Sequence, residues 1–211
     1  MQYINIHTHH QPQADELAIQ NLYKDFEQTK SKGFYSIGLH PWYITADWKN
    51  EFEQLKHYAS HQHVKAIGEC GLDKLADTDL ELQQEVFVQQ IQLANQINKP
   101  LLIHCVKAYD EVLLQLKQAQ VPAVFHGFNK SKELALQIIK AGHYLSFGKA
   151  LLQPQMQEVL RIVPKERFFL ETDDASVSIE MLFKTAAAIF SIDEESLSLQ
   201  LEKNAQHFFP L

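Results

Sequence analysis

Side chains that can bind metal ions recur near the ends of predicted β-strands along this sequence of 211 residues. His7 and His9 are two positions apart, so in an extended strand both rings project from the same face. Imidazole and carboxylate groups are common ligands of zinc and similar cations. The full set is His7, His9, His40, Glu69, His104, His126 and Asp173.

With His40 left aside, this set offers four histidines and two carboxylates, which suits two divalent ions that share a bridging carboxylate. Glu69 is the expected bridge, because it follows a strand in the middle of the series. Imidazole-rich ligation favours zinc or manganese, with magnesium as the less favoured choice because it prefers oxygen ligands.

Eight short β-rich runs carry these residues, and most are followed by a helical pattern. Alternating strands and helices indicate parallel pairing, and eight strands predict a TIM-like (β/α)8 barrel. All C-terminal strand ends then lie on one face, where the seven side chains should converge. The runs are YINIH from Tyr3, LAIQNLY from Leu17, which is the weakest, FYSIGL from Phe34, VKAIGE from Val64, PLLIHC from Pro100, VPAVFH from Val121, YLSFG from Tyr144 and FFLET from Phe168.

Helix boundaries follow from capping residues, glycine and proline. Between the first two strands, the segment Thr8 to Glu16 is too short for a full crossover helix, so irregular structure is expected there. The predicted helix starts are Asp79, Ser131, Pro154 and the capping-box pair Ser191 and Glu194, and the predicted ends are Gly142 and Pro164.

Composition limits the class of protein. An apolar content of 45% over 211 residues predicts one domain, residues 1–211. There is no apolar run long enough for a membrane span and no signal-peptide pattern at the N-terminus, so a cytoplasmic protein without a membrane partner is expected. Cys70 and Cys105 form no metal-knuckle spacing. The net charge of -7 argues against broad binding to long duplex nucleic acid.

Several short motifs follow one another along the chain: HTH at 7–9, GLHPW at 38–42, GECGLD at 68–73, IHC at 103–105, FHGF at 125–128, YLSFG at 144–148, ETD at 171–173 and NAQHFF from Asn204. Together and in this order, they resemble the TatD family of metal-dependent hydrolases. The resemblance implies a TIM-like barrel of the amidohydrolase type, a divalent-metal centre, and hydrolysis of phosphodiesters, often exonucleolytic on DNA. It also implies that one metal is bound by His7, His9, Glu69 and Asp173, and the other by Glu69, His104 and His126.

The sequence departs from the family pattern where substrate is expected to bind. Asn5 stands where the family usually has aspartate, a position that is not normally a ligand. Val106 and Lys107 replace an arginine and an aspartate, and lysine can supply charge but not the bidentate fork of a guanidinium. Lys107 and His40 are the candidate substrate-binding residues. His40 equally fits a structural hydrogen bond in a tight turn.

The predicted reaction is attack by an activated water on a phosphoester, with Asp173 orienting the water and accepting its proton and Glu69 between the two metals. DNA ends or short oligonucleotides are the expected substrates. Because the family arginine is missing, hydrolysis of an amide, lactone or cyclic amide is the alternative. A third hypothesis is a non-enzymatic protein that binds metal.

Overall fold

The computed structural model describes all 211 residues and contains one eight-stranded sheet with the strand order β1 to β8. Neighbouring strands are parallel, and Thr8 forms a parallel bridge with Asp173. This is the TIM-like (β/α)8 arrangement predicted from the sequence, and all eight predicted strands are present. Their bounds are β1 Tyr3–Thr8, β2 Glu16–Leu22, β3 Phe34–Ile37, β4 Val64–Asp73, β5 Leu101–Val106, β6 Ala123–Phe125, β7 Tyr144–Phe147 and β8 Phe168–Leu170.

Helices follow the later strands, while residues 9–15 between β1 and β2 contain no helix, as expected. The α-helices are α1 Trp48–Ala59, α2 Leu80–Ile97, α3 Tyr109–Gln115, α4 Lys132–Lys140, α5 Pro154–Ile162, α6 Ile179–Phe190 and α7 Glu194–Phe208. Short 3-10 turns occupy Phe26–Lys30, Leu116–Gln118, Lys149–Leu152 and Lys165–Arg167.

The capping predictions are confirmed for three helices and wrong for the last. Asp79 and Ser131 cap α2 and α4 through their side chains, and Pro154 is the first residue of α5. Ser191 does not start α7. It ends α6 with a left-handed backbone at φ 53°, and Asp193 caps α7 by accepting a hydrogen bond from the Ser196 amide. An aspartate two residues later therefore outcompetes the predicted serine.

Strand β4 is longer than the sequence indicated, since it continues past Glu69 to Asp73. Glu69 therefore lies inside the strand and not at its tip. Gly68 and Gly71 explain the difference, because both have positive φ and pack directly against β5. A Cβ at Gly71 would lie 2.0 Å from the carbonyl oxygen of His104. Only glycine permits this approach, and the pairing continues after a register shift between Ile67 and Cys70.

The chain divides into two compact units, one of residues 1–20 with 125–211 and one of residues 21–124. The first unit has an aromatic core that includes Phe147, Phe168 and Phe169, and the second has a core that includes Leu55 and Phe87. One domain over residues 1–211 stays a prediction. None of the helices has the length and hydropathy needed to cross a bilayer.

Candidate metal centre

In the first unit, backbone pairing places Asp173 beside two of the predicted histidine ligands. The amide of Asp173 donates to the carbonyl of His7 at 3.0 Å, and the amide of His9 donates to the carbonyl of Asp173 at 3.1 Å. Asp173 lies three residues beyond β8 and takes a left-handed backbone with φ 54°. The end of β1 therefore holds Asp173 through main-chain bonds.

The side chains of these three residues converge. Asp173 Oδ1 lies 3.3 Å from His7 Nε2 and 3.5 Å from His9 Nε2. Ligands about 2.0–2.1 Å from a tetrahedral cation lie about 3.3–3.4 Å from one another. The separations in this cluster match that spacing, so His7, His9 and Asp173 fit one divalent ion.

The environment of Asp173 favours its ionised form. Burial alone raises the pKa of Asp173, but hydrogen bonds from His7 and His9 and the charges of His7 and His126 outweigh burial and hold its pKa well below the usual range. An ionised carboxylate is the form that binds a cation and can accept a proton from water.

Glu171 is a carboxylate of this unit that the sequence analysis did not assign to the site. It is fully buried, and its Oε1 accepts a hydrogen bond from the Gly127 amide at 2.7 Å and lies 3.3 Å from His126 Nδ1. Its other oxygen, Oε2, is buried without a hydrogen-bond partner, which is costly for an anion. Ligand atoms of His126, Glu171 and Asp173 lie within 4.8 Å of one another. A cation beside this group would offset the cost.

The sequence contains one signal for Glu171, although its position beside His126 depends on the fold. Glu171 stands two positions before Asp173, and His7 and His9 have the same spacing. In an extended strand, this spacing places both side chains on one face. The side chains of Glu171 and Asp173 line a small cavity of about 110 Å³, together with Gly127 and Gly148.

In the second unit, Glu69 lies between two histidines. Its Oε1 is 3.3 Å from His104 Nδ1 and 3.6 Å from His40 Nε2, and all three residues are buried. Paired strands set this geometry, because β4 and β5 align Gly71 with His104. The spacing is again that of ligands around one small cation, so Glu69 and His104 fit a metal site.

Asp73 and Trp42 orient His104. Asp73 Oδ2 lies 3.0 Å from His104 Nε2 and accepts a hydrogen bond from Trp42 Nε1 at 2.6 Å. Burial raises the pKa of Asp73, but the hydrogen bonds from His104, Trp42 and the Leu75 amide outweigh it and lower the pKa overall. If the His104 Nε2 proton is donated to Asp73, the Nδ1 lone pair faces Glu69, as in carboxylate–histidine–metal arrangements. Trp42 is the last residue of the GLHPW motif, but its hydrogen bond to Asp73 was not predicted from the sequence.

His40 accepts hydrogen bonds within its own turn, and it also belongs to a group with Glu69 and His104 whose ligand atoms lie within 4.8 Å of one another. Its Nδ1 accepts a hydrogen bond from the Trp42 amide at 3.1 Å, and its carbonyl accepts one from the Tyr43 amide at 2.9 Å. A neutral imidazole that accepts at Nδ1 carries its proton on Nε2. The turn therefore uses Nδ1 and leaves the proton on Nε2. This agrees with the structural hydrogen bond expected from the sequence, while substrate binding by His40 stays a prediction.

The other predicted substrate residue lies just past β5. Val106 ends that strand opposite Asp73, and Lys107 follows it with an exposed side chain and a left-handed backbone at φ 54°. Cys70 is fully buried, and burial raises the pKa of its thiol. Cys70 is thus a core residue.

A family model described as TatD related DNase matches residues 5–210, so the chain belongs to the TatD-related DNase family. The resemblance inferred from the motifs is confirmed. The fold is confirmed independently by solved structures. The YJJV TatD homologue of Escherichia coli K12 has a TM-score of 0.85 at 20% identity over 99% of this chain and 98% of its own. A TatD family protein of Entamoeba histolytica has a TM-score of 0.81 at 18% identity, with the same coverage.

The chain also has relatives of similar sequence, among them two metal-dependent hydrolases. The uncharacterized metal-dependent hydrolase YabD of Bacillus subtilis is 35% identical over 147 residues, which is 66% of this chain and 58% of YabD. The uncharacterized metal-dependent hydrolase YcfH of Escherichia coli K12 is 29% identical over 157 residues, 71% of this chain and 58% of YcfH. The chain thus spans less than two thirds of the length of these relatives.

Proposed function

We propose that the chain is a divalent-metal-dependent hydrolase of phosphoester bonds, with DNA ends or short oligonucleotides as its substrates. One observation carries the proposal: in each unit a carboxylate oxygen lies 3.3–3.6 Å from two imidazole nitrogens. The description of the family as a DNase and the names of YabD and YcfH as metal-dependent hydrolases support the choice of reaction.

His7, His9 and Asp173 would hold one ion, and Glu69 and His104 would hold the other. The bridging role of Glu69 and the assignment of His126 to the second ion stay predictions. When bound, divalent ions supply Lewis-acid chemistry, since they polarise phosphate oxygens and make water more acidic.

The protein's own side chains would do the rest. The side chain of Asp173 is 37% exposed, so water can reach its carboxylate, which would accept the proton of an attacking water. The Nε2–H of His40 would donate to a phosphate oxygen, with its direction set by the Trp42 amide at Nδ1. Lys107, exposed at the end of β5, would add positive charge for the same anion.

Activity assays with and without metal test this proposal. Metal-depleted protein should be inactive on a thymidine dinucleotide and on a nitrophenyl phosphodiester, and zinc or manganese should restore hydrolysis of both. His7→Ala should abolish the restored activity. The matched control is His57→Ala, which removes an exposed histidine on α1 and should change nothing. Absence of phosphoester cleavage with every metal would refute the proposal. If metal still bound stoichiometrically, the protein would be a metal-binding module.

Metal counting tests the division of ligands. Glu69→Gln should weaken the binding of both ions, because a neutral amide bridges two cations poorly. His104→Ala and His126→Ala should lose mainly the second ion. Metal content after dialysis would be measured by mass spectrometry. Full occupancy of both sites in Glu69→Gln would exclude the bridging role, and loss of only the first ion in either histidine variant would show that the division is wrong.

Hydrolysis of an amide or lactone is the second candidate function, and Val106 favours it because the phosphate-clamping arginine of the family is missing there. Val106→Arg separates the two candidates. It should raise kcat/KM for phosphodiesters by roughly 10-fold or more, as expected for a new charge-assisted hydrogen bond, and should leave amides unaffected. A gain on amides alone would favour the amidohydrolase reaction.

A further inference from the structure

A cavity of about 340 Å³ opens beside His40 in the second unit. Its volume falls within the usual range of small-molecule sites, about 300–1,000 Å³. The walls include Tyr23, Lys24, His40, Tyr43 and Glu51. No role was assigned to this cavity by the sequence analysis, and apart from His40 its residues lie outside the metal clusters.

Two stacked tyrosine rings line the cavity. The rings of Tyr23 and Tyr43 stack with centroids 4.7 Å apart and planes 28° apart, yet the two residues remain 38% and 49% exposed. The ring of His40 lies 5.5 Å from that of Tyr43. Three aromatic rings thus line one cavity, and exposed aromatic rings are the usual platform on which nucleobases stack.

The polar groups fit a base better than a phosphate. The lining of the cavity carries one positive charge, on Lys24, and two negative charges, on Asp25 and Glu51, and the Lys24 ammonium lies 5.4 Å from the Tyr23 ring centroid. A wall of mixed charge has no strong preference for an anion, whereas the edge of a nucleobase presents both donors and acceptors. The cavity therefore suits a planar, neutral, polar-edged ring.

His40 connects the cavity to the chemistry. Its ring forms part of the cavity wall, while its Nε2 lies 3.6 Å from Glu69 Oε1 in the buried cluster. A ring in the cavity would thus be separated from that cluster by one imidazole. A base in the cavity would therefore lie next to the residue that is proposed to donate to the phosphate under attack.

We propose that this cavity is a base-binding subsite, in which Tyr23 and Tyr43 stack against the nucleobase next to the scissile phosphate. The proposal rests on the proposed function and makes it more specific: the substrate is a nucleotide recognised through its base, without regard to which base it is. Stacking on aromatic side chains is tolerant of sequence because every base has a π-face.

The first test compares a thymidine dinucleotide with an analogue that lacks the base beside the scissile phosphate. The wild-type protein should prefer the base-bearing substrate in kcat/KM by about 10-fold or more, and Tyr43→Ala and Tyr23→Ala should each reduce that preference several-fold. Tyr43→Phe keeps the ring and should keep the preference. A preference unchanged in both alanine variants would overturn the proposal.

Tyr58→Ala is the matched control. Tyr58 belongs to the same unit, is partly exposed, and has a lysine, Lys30, 5.4 Å from its ring centroid as Tyr23 does, but it does not line the cavity. Its removal should leave the preference unchanged. An equal loss in Tyr58→Ala would show that the tyrosine effects are general and would overturn the proposal.

The second test needs no metal and no catalysis. Metal-depleted protein would be titrated with adenosine and, separately, with ribose 5-phosphate, and binding would be followed by saturation-transfer NMR. Adenosine should bind and lose affinity in Tyr43→Ala, while ribose 5-phosphate should not respond to that variant. Adenosine binding without any phosphoester cleavage would refute the proposed function but retain the subsite. Phosphoester cleavage without adenosine binding would refute the subsite but retain the proposed function.

Discussion

The two metal-ligand clusters are held in place by different kinds of bond. In the first unit, main-chain hydrogen bonds between β1 and Asp173 set the cluster, and Glu171 behind His126 is itself fixed by the Gly127 amide. In the second unit, side-chain hydrogen bonds set the cluster, because Asp73 orients His104 and itself accepts a hydrogen bond from Trp42. A cluster set by the main chain should tolerate side-chain changes nearby better than one set by side chains.

The clusters also differ in access to water. The side chain of Asp173 is 37% exposed, while that of Glu69 is 7% exposed. The first cluster can therefore admit the attacking water, and the second is better suited to holding charge in a dry environment, where electrostatic interactions are stronger. Under the proposed function, this contrast would place proton transfer at Asp173 and metal retention at Glu69, and it can be tested at four points.

The largest effect is expected from Asp173→Asn. The amide cannot accept the proton of water, so kcat should fall by about 100-fold or more, the usual contribution of a positioned general base. Steady-state kinetics with metal content measured in parallel would separate loss of the base from loss of the ion. Asp174→Asn, in the exposed neighbouring residue, is the control and should retain activity. Equal activity in both variants would remove Asp173 from the mechanism.

Glu171→Gln and Asp73→Asn compare the carboxylates behind His126 and His104. Each should weaken metal binding or activity by about 10- to 100-fold, as is typical of carboxylates behind metal-bound histidines. The loss should be smaller for Glu171→Gln, because glutamine can still accept the Gly127 hydrogen bond. Competition with a chelator gives the affinities, and thermal melting checks the fold. A larger loss in Glu171→Gln than in Asp73→Asn would show that support from the main chain does not make the first cluster more tolerant of substitution.

Activity should fall on the acid side, by about 10-fold per pH unit below roughly pH 6, because neutral imidazole binds metal and protonated imidazole does not. Each cluster contains histidine ligands, so the fall should accompany loss of bound metal. A pH profile of kcat/KM with metal content at each point checks this. Constant activity down to about pH 4 would be incompatible with histidine ligands in either cluster.

The smallest effect is expected from Trp42→Phe, which removes one donor to Asp73. The lowered pKa of Asp73 means that its ionised form stabilises the fold above its unfolded pKa, about 3.9, and that this stability is lost as the pH falls through the lower, folded pKa. The variant should thus be less stable by about 1 kcal/mol at pH 7 and should approach the wild type near pH 2. Urea unfolding at both pH values measures this, and equal destabilisation at both would exclude a charge-dependent bond.

Most of the strands could be predicted because each combines a β-rich run with a polar end, as in YINIH before Thr8. Helix starts were accurate where the capping residue directly precedes the apolar pattern, as Asp79 precedes Leu80, and failed where Ser191 and Asp193 competed. The full length of β4 depended on how closely Gly68 and Gly71 approach a strand distant in sequence, which no local pattern encodes.

The candidate ligands could be predicted because metal-binding residue types are few and recur at strand ends. The residues that orient them could not. Trp42 was part of the GLHPW motif, but its bond to Asp73 spans 31 positions and depends on the folded arrangement of two segments. Glu171 is fully buried beside His126, which lies 45 positions away in the sequence. This contact arises only from tertiary structure, so no local pattern predicts it.

The contact between Gly71 and the carbonyl oxygen of His104 affects how this sequence can change over generations. The space that a side chain would need at position 71 is filled by main-chain atoms of β5, so no compensating substitution nearby can make room. At Gly142, by contrast, a Cβ would meet no atom within 4 Å, and only the backbone conformation at φ 93° opposes a change. Substitution is therefore sterically possible at position 142, whereas position 71 must remain glycine for as long as the backbone of β5 lies this close, whichever residue occupies position 104.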